Sequence, residues 1–179
     1  MKINDLTKSA IMLSVLILCS QLSIPLAFIP MTLQTLAVLM IGYLLEPKHA
    51  VFTTILYLMI GLIGLPVFSN FSGGIQSIFL PSFGFIIGFI PATYLQSFFL
   101  SKQLKPTIKH LSIAALIHYV VLYSMGLLYM SWVLNVYLGN QFSLSGILAI
   151  GFLPFIPADL IKITVAIVLS KRIMAIQKR

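Results

Sequence analysis

Charged side chains are scarce in this chain of 179 residues, and their shortage excludes most classes of protein. Only 8% of the residues are charged and only three are acidic, whereas 60% are hydrophobic. A soluble domain has about 25% charged and about 45–50% apolar residues. A soluble domain and an intrinsically disordered chain are therefore excluded, and the composition predicts an all-α membrane protein.

The sequence also lacks the motifs that carry catalysis or bind a nucleotide. It contains no G-x-x-x-x-G-K-[ST], no H-E-x-x-H and no G-x-S-x-G. The single cysteine, Cys19, can form no disulfide within the chain. We therefore expect neither an enzyme nor a protein with a resident cofactor or metal, and the chain has no evident means of coupling to ATP.

Six apolar runs divide the chain into a single integral membrane domain over residues 1–179. They predict transmembrane helices over about 9–24, 32–45, 50–64, 83–100, 111–136 and 155–171. The second and third runs are shorter than the 17–25 residues that a crossing usually needs. A helical hairpin that does not cross is the alternative for this pair, and it would leave four crossings.

The basic residues predict the orientation of the chain. With six crossings and a cytoplasmic N-terminus, ten of the eleven Lys and Arg residues fall on inner segments. The outer segments, 23–31, 65–82 and 137–153, carry none. This asymmetry follows the positive-inside rule. It predicts a multi-pass protein of the cell membrane with both termini in the cytoplasm, and it explains the net charge of +8 without a nucleic-acid partner.

One basic residue remains, and it lies three positions after an acid in the last run. Asp159 and Lys162 share one helix face at this spacing. Ionisable groups in membrane segments are costly and usually face a cavity or the bundle interior. The two readings are an ion pair that orients the helix, and a recognition site open to the outside. Gln34 could reach the same cavity or form a helix-start hydrogen bond.

Two further features indicate a lid and a docking face. The outer loop 66–81 is uncharged and mixes aromatic with small polar residues, among them Asn70, Gly73 and Gly74. This composition predicts a lid over the bundle, with an interfacial aromatic anchor as the alternative. Ala10 and Ser14 form a small-xxx-small pair, which allows another helix to approach closely, either within the bundle or from a partner.

Five segments in order along the chain together resemble the biotin transporter BioY family. They are 29–39 (IPMTLQTLAVL), 57–68 (YLMIGLIGLPVF), 72–74 (SGG), 81–89 (PSFGFIIGF) and 157–162 (PADLIK). The resemblance implies a six-helix substrate-binding (S) component of an energy-coupling factor transporter. Such a component captures a vitamin outside and works with a membrane coupling protein of the EcfT type and two ABC ATPases.

The resemblance also implies that biotin is the transported substrate and that Asp159 and Lys162 bind it. The full predicted binding set is Asp159, Lys162, Gln34, Asn70, Gly73, Gly74 and Phe85. Ala10 and Ser14 are the nearest match to the surface that the family presents to its coupling protein. A different vitamin and a non-transporting structural membrane protein are the alternatives.

This sequence departs from the family pattern at two places. Residues 81–85 read Pro-Ser-Phe-Gly-Phe where the family usually has Pro-Thr-Gly-Gly-Tyr, and Ala158 replaces a glycine. The first change removes a glycine and a tyrosine hydroxyl. It therefore predicts a pocket whose local shape differs from that of other family members.

Overall fold

The computed structural model describes residues 3–26 and 28–177, and these residues are mostly helical. The described chain forms seven α-helices: α1 (Ile3–Gln21), α2 (Gln34–Leu44), α3 (Pro47–Leu62), α4 (Phe83–Ser101), α5 (Ile108–Trp132), α6 (Leu144–Gly151) and α7 (Ile156–Gln177). A two-stranded antiparallel ribbon, β1 (Ser23–Ile24) with β2 (Met31–Thr32), connects α1 to α2.

The predicted all-α membrane fold is confirmed, and a helix occupies each of the six predicted ranges. The first helix begins at Ile3 rather than near residue 9. Asp5 lies in its first turn, where a carboxylate stabilises the helix. The segment 137–153, predicted as an outer loop, instead contains α6. The side chain of Ser143 caps α6 by accepting a hydrogen bond from Gly146 N at 3.2 Å.

Four apolar helical stretches in the described chain are long enough to cross a membrane: Ile3–Gln21, Phe83–Ser101, Ile108–Tyr137 and Leu144–Ile176. The helices α2 and α3 are shorter, with 11 and 16 residues. Nevertheless α2 lies at the centre of the bundle, where Ala37, Val38 and Leu39 are fully buried. It packs against α1, α4 and α7, so neighbouring protein rather than lipid surrounds most of it.

One end of the bundle, which we call the rim, gathers the ends of six helices. α1, α3 and α5 end there, and α2, α4 and α7 begin there. The segment 66–81, which we call the lid, forms two short 3₁₀ turns, Ser69–Phe71 and Ile75–Phe79, between α3 and α4. The rim therefore combines three helix N-termini with a folded connection.

Side chains from three helices fasten the lid. From α1, the Gln21 amide donates to Phe68 O at 3.1 Å and its carbonyl accepts from Phe71 N at 2.9 Å. From α3, the Tyr57 hydroxyl donates to Val67 O at 3.0 Å. From α5, the Tyr129 hydroxyl donates to Ile78 O at 2.5 Å. The lid is thus a fixed part of the fold.

We expect Gln21→Ala to loosen the lid selectively. The substitution removes hydrogen bonds to both Phe68 and Phe71, each worth about 1 kcal/mol, so amide exchange at Phe71 should accelerate about tenfold or more. Hydrogen–deuterium exchange on the purified protein measures this. Gln103→Ala is the matched control, because the Gln103 side chain forms no hydrogen bond within the described residues. Equal exchange in the lid of both variants would contradict the fastening role of Gln21.

Candidate functional site

A buried ion pair lies beneath the rim, in the first two turns of α7. Lys162 Nζ donates to Asp159 Oδ1 at 3.0 Å, and each residue is only 6% exposed. Asp159 is in the first turn of α7, where the helix dipole favours a carboxylate. Burial of two charges is tolerated only when they are paired and hydrogen-bonded.

Two hydroxyl groups from other helices complete the pair. The Tyr123 hydroxyl, from α5, donates to Asp159 Oδ2 at 2.5 Å. The Thr35 hydroxyl, from the first turn of α2, accepts from Lys162 Nζ at 3.0 Å. The pair therefore connects three helices, and each charged group has one neutral partner besides the other.

The pair retains unused hydrogen-bonding capacity. An ammonium has three N–H donors, and Lys162 uses two of them on Asp159 and Thr35. A carboxylate has about four acceptor positions, and Asp159 uses two within the described residues. One donor and up to two acceptor positions thus remain for a ligand that carries both a carbonyl and N–H groups, and the Tyr119 hydroxyl lies near the same carboxylate.

These groups face a cavity that opens beneath the lid. The lining combines polar groups from α2 and α7 with apolar side chains from α4 and α5. It consists of Ile29, Pro30, Thr32, Gln34, Thr35, Ser69, Ser82, Phe85, Ile86, Phe89, Leu122, Tyr123, Gly151, Phe155, Asp159 and Lys162. An apolar wall with a few convergent polar groups is typical of small-molecule sites. The space that a water molecule can enter is about 60 Å³, so a ring system enters only if lining groups move.

The structure brings four of the seven predicted binding residues to this cavity: Asp159, Lys162, Gln34 and Phe85. Gln34 is held by two neighbours, since its Nε2 donates to the Tyr57 hydroxyl at 2.6 Å and its Oε1 accepts from the Thr32 hydroxyl at 3.1 Å. Because Tyr57 also bonds the lid, Gln34 connects the cavity to the lid through one intervening side chain.

Asn70, Gly73 and Gly74 lie in the lid and do not line the cavity. Asn70 adopts a φ of 58° and accepts a hydrogen bond from the Ser23 hydroxyl at 2.6 Å. Gly74 has a φ of 91°, a conformation that favours glycine, and its N–H donates to Gly61 O at 2.7 Å. A Cβ on Gly73 would overlap the Leu65 carbonyl. The structure assigns these residues turn-forming roles, and direct ligand contact by them stays a prediction.

The departure at residues 81–85 has a visible structural result. Phe83, at a position where the family usually has glycine, is 4% exposed and packs between Phe68 of the lid and Tyr129 of α5. Phe85 lines the cavity and packs edge-on against Tyr123, with ring centroids 5.9 Å apart. One aromatic ring therefore supports the lid, and the other forms an apolar wall beside the ion pair.

Sequence reasoning missed Thr35 and Tyr123, the two partners of the pair. Both are polar residues inside apolar runs, and Tyr119 and Tyr123 recur four positions apart on α5. That spacing places both hydroxyls on one helix face, and their stacked rings are 5.9 Å apart. A search of the apolar runs for polar residues that share one helix face would have found Tyr123 together with Tyr119.

A second cavity, of about 280 Å³, is also lined by Tyr123 and Asp159. Its lining is almost wholly apolar and comes from α5, α7 and Phe152 between α6 and α7, including the exposed residues Leu116, Val120 and Leu160. Lys162 does not line it. The complete ion pair therefore lines the first cavity alone, whereas Tyr123 and Asp159 line both cavities.

Two other sequence predictions concern different parts of the chain. Ala10 and Ser14 are exposed on α1, and the Ser14 hydroxyl donates to Ala10 O at 3.0 Å. Their face of α1 is not used for packing within the described bundle. No group of three or more His, Cys, Asp or Glu side chains that could hold a metal ion occurs in the described part of the chain.

The fold and the site define a helical membrane protein that presents a buried, partly unsatisfied acid–amine pair to a cavity beneath its rim. Comparison with known proteins identifies the family to which this membrane protein belongs. The chain belongs to the BioY family, whose model matches residues 1–179.

Individual relatives match most of the chain. It is 34% identical over 152 residues to the probable biotin transporter BioY of Lysinibacillus sphaericus, covering 85% of this chain and 77% of the relative. It is 34% identical over 176 residues to the biotin transporter BioY of Lactococcus lactis subsp. cremoris, covering 96% and 91%. A crystal structure of the S-component for biotin from an ECF-type ABC transporter is similar at a TM-score of 0.85 and 31% identity, covering 97% of this chain and 92% of that chain.

We expect Gly126→Ala to displace the Phe85 side chain that lines the cavity and to lower the thermal stability of the protein. A Cβ on Gly126 would overlap the ring of Phe85, so the ring must move toward the cavity. Overpacking of this kind costs about 1–3 kcal/mol, and the thermal midpoint should fall. Thermal unfolding in detergent measures this. Gly146→Ala is the control, because its new methyl group would meet only ordinary contacts at 3.5 Å. Equal midpoints for the two variants would show that Phe85 has room to yield.

Proposed function

We propose that this chain is the substrate-binding component of an energy-coupling factor transporter and that it captures biotin at its rim for uptake into the cell. The observation that carries the proposal is the unused capacity of the Asp159–Lys162 pair, facing a cavity in a chain of the BioY family. The chain acts in transport and is not an enzyme.

The ureido ring of biotin complements the pair. It has two N–H donors and one carbonyl acceptor, and the pair offers up to two carboxylate positions and one ammonium N–H. Hydrogen bonds that involve a charged group contribute about 1.5–3 kcal/mol each. Phe85, Phe89 and Phe155 supply apolar surface for the sulfur-containing ring.

Electrostatics favours the ureido end of biotin over its carboxylate at this position. A ligand carboxylate on Lys162 Nζ would lie close to Asp159, whose Oδ1 is only 3.0 Å from the same nitrogen. At an effective dielectric constant of 20, two like charges about 4 Å apart repel by about 4 kcal/mol, which offsets most of the attraction of about 5.5 kcal/mol between the ligand carboxylate and Lys162 at about 3 Å. A neutral ureido group avoids this repulsion and leaves the ion pair intact.

The topology and partners form the remaining part of the proposal. The ten basic residues on predicted inner segments support a cell-membrane protein with cytoplasmic termini, which places the rim outside. The sequence contains no nucleotide-binding motif, so ATP hydrolysis belongs to partner subunits, here a coupling protein of the EcfT type and two ABC ATPases. The exposed Ala10–Ser14 face of α1 is the proposed contact with the coupling protein.

Neutralising either member of the pair should abolish tight binding. Asp159→Asn and Lys162→Gln each leave one buried charge without its partner, at a cost of about 3–5 kcal/mol, and each removes ligand hydrogen bonds. We expect biotin affinity to fall at least 100-fold in both, as measured by isothermal titration calorimetry. Lys109→Gln, on the first turn of α5 at the opposite end, is the matched control. Unchanged binding in both pair variants would exclude this site.

Calorimetry of the unmodified protein separates the alternatives. Heat with biotin at micromolar concentration supports the proposal. Tighter binding of another vitamin in a competition panel would replace biotin as the assigned substrate, and the chain would remain a substrate-binding component. A folded protein that binds no vitamin would contradict transport and favour a purely structural ion pair.

A substitution on the Ala10–Ser14 face of α1 should reduce uptake without changing biotin affinity. Ala10→Trp adds bulk on an exposed surface far along α1 from the rim, so biotin affinity should be unchanged. ATP-driven uptake in vesicles that contain the coupling subunits should fall at least tenfold, because the new side chain prevents close helix approach. Leu128→Trp, at a residue that is 73% exposed on α5, is the control. Normal uptake by the Ala10 variant would place the contact elsewhere.

A further inference from the structure

The rim lacks the basic side chains that would attract an organic anion. The sequence has no Lys or Arg between Lys8 and Lys48, between Lys48 and Lys102, or between Lys109 and Lys162. These intervals contain the α1–α2 connection, the α3–α4 connection, the end of α5 at the rim and the whole of α6. None of these parts of the rim therefore carries a Lys or Arg. Lys162 is therefore the only Lys or Arg among the cavity-lining residues.

Lys162 already donates hydrogen bonds to two side chains of this protein, one charged and one neutral. Its ammonium donates to Asp159 and Thr35, each at 3.0 Å, which leaves one N–H for a ligand. Under the proposed function, this N–H donates to the ureido carbonyl oxygen. Among the described residues, no cation then remains in the cavity for the carboxylate at the other end of biotin.

Neutral hydroxyl groups occupy the side of the cavity nearest the lid. Ser69, from the first 3₁₀ turn of the lid, and Ser82, directly before α4, both line the cavity. Neither hydroxyl forms a side-chain hydrogen bond within the described residues. A hydroxyl donates equally to a carboxylate oxygen and to an amide carbonyl, and it can also accept from an amide N–H.

We infer that this chain recognises biotin by its ureido ring and does not require the charge of its carboxylate, so that it binds biotin amides and esters as well as free biotin. The inference rests on the proposed function and specifies the ligand class. The carboxyl end lies toward Ser69 and Ser82, beneath the lid. The accepted ligands therefore include conjugates in which biotin is joined to an amine through its carboxyl group.

Competition binding against biotin tests the inference with the intact protein in detergent or nanodiscs. The probes are biotinamide, biotin methyl ester and 2-iminobiotin, in which an imino group that can carry a positive charge replaces the ureido carbonyl. Loss of a charge-assisted hydrogen bond weakens binding by about 10- to 100-fold. We expect biotinamide and the methyl ester to bind within tenfold of biotin, and 2-iminobiotin about 10- to 100-fold more weakly.

The outcomes distinguish this inference from the proposed function. Tight biotin binding with biotinamide weakened more than tenfold would overturn the inference and leave the function standing. Absence of biotin binding would overturn both. Tight binding of biotin, biotinamide and 2-iminobiotin alike would contradict recognition through the ureido ring.

A new cation provides an independent test of where the carboxyl end lies. Ser69→Arg places a guanidinium at the lid side of the cavity, so it should raise the preference for biotin over biotinamide about tenfold. Gln141→Arg adds the same charge at an exposed rim residue outside the cavity and should leave the ratio unchanged. An unchanged ratio in the Ser69 variant would contradict the assigned position of the carboxyl end.

Discussion

A carboxylate and an ammonium can stay buried beneath the rim because each neutralises the other. Asp159 and Lys162 are 3.0 Å apart and almost fully covered, in a protein with very few charged residues. Removing either charge would leave the other uncompensated in a medium of low polarity. The positions of Tyr123, Thr35 and the first turns of α2 and α7 all follow from this requirement, because they supply the remaining bonds.

The same requirement explains why the pair suits recognition. A pair that satisfied itself completely would resist a ligand, since binding would break existing bonds. Here the fold uses one hydroxyl on each charged group and leaves capacity on the cavity side. A ligand that carries donors and an acceptor in one rigid, neutral group gains charge-assisted bonds without separating the charges.

The lid and the apolar wall extend this arrangement to the rim. Gln34 is held by Tyr57, and Tyr57 also holds Val67 of the lid. Phe83 packs under the lid while Phe85 packs beside Tyr123. The lid is thus connected, through few side chains, to the groups that line the cavity.

Much of this architecture could be predicted from the sequence, because the strongest signals are local. Apolar runs identified the helices, and the spacing of Asp159 and Lys162 placed both on one face of the last helix. The α6 helix was missed because its eight residues follow a polar turn and are too short to signal a crossing. Thr35 and Tyr123 were missed because their role depends on how α2 and α5 pack against α7. The turn-forming roles of Asn70, Gly73 and Gly74 likewise require the folded lid.

The central claim is that biotin completes the bonding of the buried pair. A structure of the protein with bound biotin, determined in a lipid nanodisc, tests it most directly. The account predicts the ureido oxygen within hydrogen-bonding distance of Lys162 Nζ, an N–H on an Asp159 oxygen, and an intact ion pair. Biotin bound with its carboxylate on Lys162, or at a place remote from the pair, would contradict it.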